Sequence, residues 1–481
     1  MNASHIQLQP LLALFFFFCI LTDLNVSSAT CHVDDETGLL GFKSGITQDP
    51  SGMLSSWKPG TDCCTWAGIN CLAGNRVTSL GLTGQPGIPN SFLSGTISPS
   101  LSKVIYLDGI YLQNLKNISG QFPDLVFGLP NLKYVYIENN KLSGQIPGNI
   151  GQLVQLEALS LAGNRFTGPI PSSISALTQL TQLKLEGNLL NGTVPVGIGH
   201  LKNLTVLTLQ SNQLSGPIPD FFSSFNNLRL LSLHYNKFYG KIPSSISSLA
   251  PKLAYLELGH NELTGQIPRF LGNFKALDTL DLSWNRLSGV VPKEFANLTK
   301  IFNLDLSHNL ITDPFPIMNV KGIESLDLSY NNLHLLEIPK WVTSSPIIYS
   351  LKLAKCGIKV NLHDWNPVES YFYDYIDLSD NEISGSPVRL LNRTDYLVGF
   401  WASGNKLRFN LESLRIVDTL KSLDLSHNLV FGKVPNAVSR LDEFNVSYNH
   451  LCGQIPITKF AATAFMGNDC LCGSPLAPCK V

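Results

Sequence analysis

"LKYVYIENNKLSGQIPGNIGQLVQ" (Leu132 to Gln155) runs without a gap into "LEALSLAGNRFTGPIPSSISALTQ" (Leu156 to Gln179), "LTQLKLEGNLLNGTVPVGIGHLKN" (Leu180 to Asn203) and "LTVLTLQSNQLSGPIPDFFSSFNN" (Leu204 to Asn227). All four follow one template, L-x-x-L-x-L-x-x-N-x-L-x-G-x-I-P, with a period of 24 residues. Further blocks begin at Leu228, Leu253, Leu277, Ile301, Ile323, Ile348, Tyr373, Leu397, Leu420 and Leu441, their lengths drifting between 21 and 25. Less regular blocks lie upstream around Leu80 and Leu112, giving about sixteen units. Self-similarity at such a period marks a chain of stacked supersecondary units.

Each template position has a physical task, and together they specify an α/β repeat solenoid of leucine-rich repeats. The L-x-L alternation has the period of a strand, so in "LDTLDLSWN" Leu280 and Leu282 should face the core and Asp281 the solvent. Consecutive units then stack these strands into one parallel concave β-sheet. Asn285 and its equivalents (Asn140, Asn164, Asn188, Asn212, Asn236, Asn261, Asn309, Asn331, Asn381, Asn405, Asn428, Asn449) turn the chain away. A buried amide there can bond backbone groups that the turn leaves unpaired. The following Gly permits close approach or a positive φ, and Pro ends ladder pairing and sends the chain over the convex side.

One such unit buries too little apolar surface to offset the entropy of ordering it, so units must stack and the two end units need lids. Ten cysteines are disposed accordingly. Cys31, Cys63, Cys64 and Cys71 cluster near one end, and Cys452, Cys470, Cys472 and Cys479 near the other. Each group of four allows three pairings; the least nested set joins Cys31 to Cys63, Cys64 to Cys71, Cys452 to Cys470 and Cys472 to Cys479. In "DDETGLLGFKSGI" Leu39, Leu40, Phe42 and Ile46 recur at near-helical spacing, predicting a capping helix from about Asp35, with Trp57 and Trp66 as its seal. The apolar run "LLALFFFFCIL" (Leu11 to Leu21), followed by "VSSAT", has the form of a secretory signal peptide cleaved after Ala29 and containing Cys19. The expected organisation is residues 1–29 signal peptide, 30–75 N-terminal cysteine cap, 76–451 solenoid and 452–481 C-terminal cysteine cap. No later run reaches about 18 apolar residues, so no membrane span is expected in a chain sent to the extracellular space.

Cys356, in "IYSLKLAKCGIKV" (Ile348 to Val360), has no cysteine partner left. Counted from Leu351 and Leu353 it falls in the slot that asparagine holds elsewhere, which predicts a buried structural thiol rather than a nucleophile.

Composition excludes several functions. With 34 basic and 35 acidic residues the net charge is −1, and no Lys/Arg run gives the footprint of a nucleic-acid binder. His234 and His260 sit on neighbouring units beside Glu257, a conceivable but weak metal set, whereas His308 and His427 are five units apart, about 24 Å. No Ser/His/Asp set, phosphate loop or unusual carboxylate pair stands outside the repeat template, so neither an enzyme nor a cofactor is expected.

With repeats and caps in view, the chain resembles the plant extracellular subclass of leucine-rich-repeat proteins. "GTDCCTWAGINC" (Gly60 to Cys71) is similar to that subclass's N-terminal cap, and "LSGQIP" and "LTGQIP" to its repeat signature. "CLCGSPLAPCK" (Cys470 to Lys480) and "YLQNLKNISGQFP" (Tyr111 to Pro123) resemble the ending and an irregular early repeat of polygalacturonase-inhibiting proteins. The resemblance implies a right-handed superhelix secreted to the cell wall or apoplast, acting in plant defence by binding microbial polygalacturonases on its concave face. About sixteen repeats here against about ten in those inhibitors preclude any position-by-position transfer of contacts. The chain is also similar to the extracellular parts of leucine-rich-repeat receptors.

Sixteen strands at about 4.8 Å spacing give a concave face about 75 Å along its arc, suited to a protein or peptide partner such as a secreted hydrolase or a receptor ectodomain. The repeated "LDLS" residues Asp281, Asp305, Asp327, Asp377 and Asp424, with Ser283, Ser307, Ser329, Ser379 and Ser426, are expected to be generic solvated positions. Side chains that break this monotony and favour interfaces are the candidate contacts. On the strands these are Tyr134, Tyr136, Glu138, Lys184, Glu186, Gln210, His234, Tyr235, Tyr255, Glu257, His260, Trp284, His308, Tyr330, Lys352, Lys355 and Trp401, of which Trp284 and Trp401 stand out. Glycosylation sequons occur at Asn117, Asn191, Asn203, Asn297, Asn392 and Asn445, besides Asn25 in the leader. Asn191, Asn203 and Asn297 are expected in turns or convex segments, and Asn117 and Asn445 in settings less open to modification. The functions in competition are a recognition module that inhibits a wall-degrading hydrolase, a ligand-sensing or scaffolding partner of membrane receptor kinases, and a structural wall protein.

Overall fold

The computed structural model describes residues 31–72, 75–368 and 372–479. The leader with Cys19, Asn25 and the cleavage point after Ala29 lies outside the described residues. No helix among the described residues is long and apolar enough to cross a membrane.

The chain forms a parallel-sheet solenoid. Its concave sheet holds seventeen strands, the first of which (Ile69–Leu72) pairs antiparallel with Arg76–Thr83. All later neighbours pair parallel through to Glu443–Asn445. Most of these strands are three residues long, and register is fixed unit to unit: Leu280 opposes Leu256 on one side and Leu304 on the other. Leu280 and Leu282 are fully buried, as the alternation requires. The ladder asparagines are confirmed as backbone surrogates. Asn285 donates to the carbonyls of Leu258, Leu282 and Ser283 and accepts from the Leu263 amide, spanning two units with one side chain.

A second sheet, parallel except for its first pair and not announced by the template, follows the asparagine in most units. Its eleven strands run from Ile46–Gln48 to Leu310–Thr312, with registers such as Gly265 opposite Leu287. Proline does end each of these strands, and short 3-10 helices such as Lys293–Asn297 then cross the convex side. This lateral sheet stops where Asp313 and Pro314 replace the glycine of positive φ and its neighbour (Gly289 in the preceding unit). It resumes as short pairs from Ser384–Gly385 onward.

The N-terminal lid corrects one expectation. The helix spans Val33–Ser44, buries Leu39 and Phe42, and ends at Gly45, so Ile46 leaves the helical face and enters a strand opposite Gly95. The lid is locked by Asp35, fully buried, which takes two hydrogen bonds from the Arg76 guanidinium at 2.8 Å and one from the Val77 amide at 2.9 Å. Trp57 and Trp66 are buried beneath it and stack at 5.5 Å. The disulfides are Cys31–Cys63, Cys64–Cys71, Cys452–Cys470 and Cys472–Cys479, the least nested set.

Candidate functional site

Each repeat offers four outward positions, numbered from its leading Leu: the third, fifth, seventh and eighth residues. Stacking turns these into four columns along the solenoid. Tyr134 and Tyr255 belong to the first column; Tyr136, Lys184, Glu257, Lys352 and Trp401 to the second; Glu138, Glu186, Gln210 and His234 to the third; Tyr235, His260, Trp284, His308, Tyr330 and Lys355 to the fourth.

The first two columns are open in places and buried in others, as at Ser160, Thr208 and Ser232. Tyr134 donates its hydroxyl to Glu157, and Tyr136 stacks on Tyr111 at 5.4 Å, a partner the sequence reading passed over. Trp401 is half-buried, not freely exposed. It lies flat over Gly399, where an added Cβ would collide with the indole, and faces Tyr375 at 6.4 Å.

The third column is a correction. Glu138 is buried, accepting from Gln113, Ser160 and Lys184. Burial opposes its ionisation, but those hydrogen bonds and the Lys184 charge outweigh it and hold the carboxyl below its usual range. The Gln210 Oε1 is likewise enclosed, and Glu186 accepts from Thr208. His234 bonds Ser232 and lies 3.3 Å from Glu257. The "LDLS" serines of this column are not solvated either: Ser283, Ser307, Ser329, Ser379 and Ser426 are all buried. The reason is local: at the strand's end the serine turns under the preceding aspartate, as when Ser307 gives both its amide and its hydroxyl to Asp305.

The fourth column is not on strands at all. These residues sit in the turn just before the ladder asparagine, with φ between 48° and 55°. Left-handed backbone favours glycine, which holds this slot at Gly163, Gly187 and Gly404. From Tyr235 to Tyr330 the slot instead carries five consecutive rings in face-to-face register. Centroids are 3.9 Å apart for Tyr235–His260, 5.4 Å for His260–Trp284, 3.7 Å for Trp284–His308 and 4.6 Å for His308–Tyr330. Tyr235 and Trp284 are about half exposed. Burial lowers the affinity of His260 and His308 for protons. His260 is thereby committed to stacking, and the His234–Glu257–His260 set is not assembled as a ligand cluster. Among the described residues the one group of three such ligands is Cys31, Cys63 and Cys64, whose sulfurs are in disulfides.

Beside the rings, a cavity of about 470 Å³ opens on the concave face, lined among others by Trp284, His308, Tyr330, Trp401, Asp305, Asp327, Asp377 and Lys352. Its floor carries the aspartates that looked generic. Burial, then repulsion from Asp327, pushes Asp305 up to about 7, and burial also raises Asp327 and Asp377. Lys352 lies 3.7 Å from Asp327, and its charge also opposes the rise at Asp377. The missed signal was the combination of the "LDLS" carboxylate with a ring three residues later, in the consecutive units around Trp284, His308 and Tyr330.

Cys356 occupies its asparagine slot, fully buried, with its thiol on the carbonyls of Leu328 and Ala354 and its pKa raised by burial.

Comparisons with known proteins agree with this architecture. A leucine-rich-repeat N-terminal domain matches residues 32–72, and leucine-rich-repeat models match 251–311 and the five segments 131–153, 155–177, 203–225, 227–249 and 419–441. Polygalacturonase inhibitor 2 of Arabidopsis thaliana is 39% identical over 113 residues, 22% of this chain and 34% of that protein. The chain thus spans about a third of the length of the curated relatives it matches. Among solved structures, a TDR receptor superposes with TM-score 0.61 at 29% identity, covering 79% of this chain and 67% of that one. The ectodomain of the Arabidopsis receptor kinase HAESA, solved with an extended IDA peptide hormone, gives TM-score 0.59 at 26% identity, covering 93% and 99%. The chain is a leucine-rich-repeat protein, an N-terminal cap domain followed by stacked repeats, related to plant polygalacturonase inhibitors and to plant receptor ectodomains.

Proposed function

We propose that this chain is a secreted protein-recognition module of the plant wall space that binds a protein or peptide on its concave face. The observation that carries the reading is the clustering of exposed aromatic side chains, in strained turn positions where glycine would be cheaper, along one rim of the concave cavity. Left-handed backbone strains every non-glycine residue, so the concentration of exposed rings there over five units favours a binding role over a merely structural one. Likeness to polygalacturonase inhibitors supports a microbial wall-degrading hydrolase as target. Likeness to the HAESA ectodomain, whose solved complex holds a peptide hormone, supports the second reading, a ligand-sensing partner of receptor kinases.

The test is inhibition and direct binding with purified fungal polygalacturonases, comparing the wild-type chain with a Trp284→Ala, Trp401→Ala variant. Saturable inhibition weakened at least tenfold in the variant supports the hydrolase reading. No binding to any of the hydrolases removes it, and binding unchanged in the variant moves the site off this face.

A further inference from the structure

The unit that begins at Ile301 crosses the convex side differently from its neighbours. The unit before it crosses through the 3-10 helix Lys293–Asn297 and the unit after it through the helix Lys340–Thr343. Between them, residues 313–322 ("DPFPIMNVKG") belong to no strand or helix, and among the described residues none of the ten gives or takes a backbone–backbone hydrogen bond. Pro314 and Pro316 account for part of this, since proline brings no N–H and pushes the residue before it out of the helical range. The two ends are fixed: the Asp313 carboxylate takes the His334 amide, and the Ile323 amide goes to the Ser345 hydroxyl. The middle is open. Ile317 is 79% exposed, Asn319 and Lys321 are exposed, and Met318 is the one buried side chain. Beside it opens a cavity of about 340 Å³, lined among others by Phe315, Ile317, Leu335 and Trp341.

We propose that residues 313–322 are a processing site, the substrate segment of an endopeptidase. A cleft that receives an extended peptide holds it through main-chain N–H and C=O groups, and here those groups are unclaimed. Exposed segments without local bonds are where folded chains are nicked. The step adds one water across a peptide bond: C–N breaks, the carbonyl carbon takes the hydroxyl and the nitrogen takes the proton. Bonds on either side of a proline fit most clefts poorly, which leaves those from Ile317 to Gly322. The other units supply the comparison. Lys202, Lys252, Lys275 and Lys300 are exposed one or two residues ahead of a leading Leu or Ile, as Lys321 is. At those units the leading amide is tied back into the convex turn: Leu204 to Leu201, Leu253 to Leu249, Leu277 to Phe274 and Ile301 to Leu298. Cleavage at any of the four requires a turn to unwind, whereas cleavage in 313–322 requires Met318 to lift. The cut falls between the unit that carries His308 and the one that carries Tyr330, so it divides the chain within the span of the ring column.

The experiment treats the folded full chain with a trace of subtilisin, which tolerates most side chains, and in parallel with trypsin, and maps the first cut by mass spectrometry. Counting bonds between Cys31 and Cys479, the expected subtilisin cut lies between Ile317 and Gly322 and forms at least tenfold faster than any other. The expected tryptic cut follows Lys321, at least tenfold ahead of those after Lys202, Lys252, Lys275 and Lys300. A first subtilisin cut elsewhere, or a first tryptic cut after any other basic residue, overturns the proposal. Hydrogen exchange on the uncut chain removes any bias from peptidase preference. The amides of residues 317–322 should exchange at least tenfold faster than those of Phe295, Leu298 and Ile301, which are bonded within the preceding turn. Equal protection of the two sets overturns the proposal as well.

Discussion

The Trp284 indole and the His308 imidazole lie face to face across two repeats, centroids 3.7 Å apart and planes 18° from parallel, although both residues occupy left-handed backbone. Two opposing energies meet there. Stacking on His260 and His308 contributes about 0.5–1.5 kcal/mol per pair, and the left-handed conformation costs a non-glycine residue about 1 kcal/mol or more.

Trp284→Ala loses both stacking pairs and keeps the backbone cost, so it should destabilise by about 1–3 kcal/mol. Trp284→Gly loses the same stacking but adopts the turn freely, as Gly163 and Gly187 do, and should be more stable than the alanine variant by about 1 kcal/mol. Denaturant midpoints of the two variants check this. An alanine variant more stable than the glycine one would mean that the turn is not under strain.

Cys356 gives a second prediction from one slot. Cys356→Asn should be at least as stable as wild type, because the amide can donate to Leu328 and Ala354 as Asn381 does to Leu353, Leu378 and Ser379. Cys356→Ala takes one donor from each of those carbonyls, but Leu328 still accepts from the Asn331 side chain and Ala354 from the Tyr330 amide, so it should cost no more than about 1 kcal/mol. The native thiol, buried and with its pKa raised, should react with an aromatic disulfide reagent only after unfolding.

Sequon use should follow what each amide is already doing. Asn191, Asn203 and Asn297 are exposed, Asn191 in a lateral strand rather than a turn. Asn445 is half-buried, its Oδ1 taking the Ser447 amide and hydroxyl and its Nδ2 directed at Asp424. Peptide mapping of chain secreted from plant cells should find glycan on the first three and none on Asn445. A modified Asn445 would require the Ser447 turn to open.

The strand period and the ladder amides were legible because each is a one-residue property repeated in register: Leu280, Leu282 and Asn285 are where their spacing put them. The lateral sheet was not, because Arg286–Val290 pairs mainly through backbone, with one side-chain contact from Arg286 to Glu262, and its side chains show no alternation that the template's leucine and glycine do not already explain. The candidate site was half legible. Tyr235, His260, Trp284, His308 and Tyr330 stood out by residue type, but their alignment depends on a turn angle that sequence spacing does not express. Asp305 and Asp327 were hidden by repetition: "LDLS" looks the same at Asp424, flanked by Trp401 and Asn445, as at Asp305, flanked by Asp281 and Asp327.

That setting makes Asp305 the place where stability should respond to pH. Its folded pKa, about 7, lies above the ordinary value of 3.8, so the folded chain binds its proton more tightly than the unfolded chain. The stabilisation is complete below about pH 4 and is lost as pH rises through about 7, when a carboxylate must ionise next to Asp327. Asp305→Asn removes that charge and leaves an Oδ1 to accept from Ser307. The variant should therefore match wild type near pH 4 and exceed it at pH 8 by on the order of 2 kcal/mol, less than the full shift implies because solvent reaches one side of the carboxyl. His260 and His308 act in the opposite sense, weakening the fold as pH falls from the ordinary value of 6.5 through their lowered pKa values. Their contribution is common to both proteins and cancels in the difference. Urea midpoints of the pair at pH 4, 6 and 8 measure it, and a difference that stays flat over that range would place the Asp305 carboxyl in water.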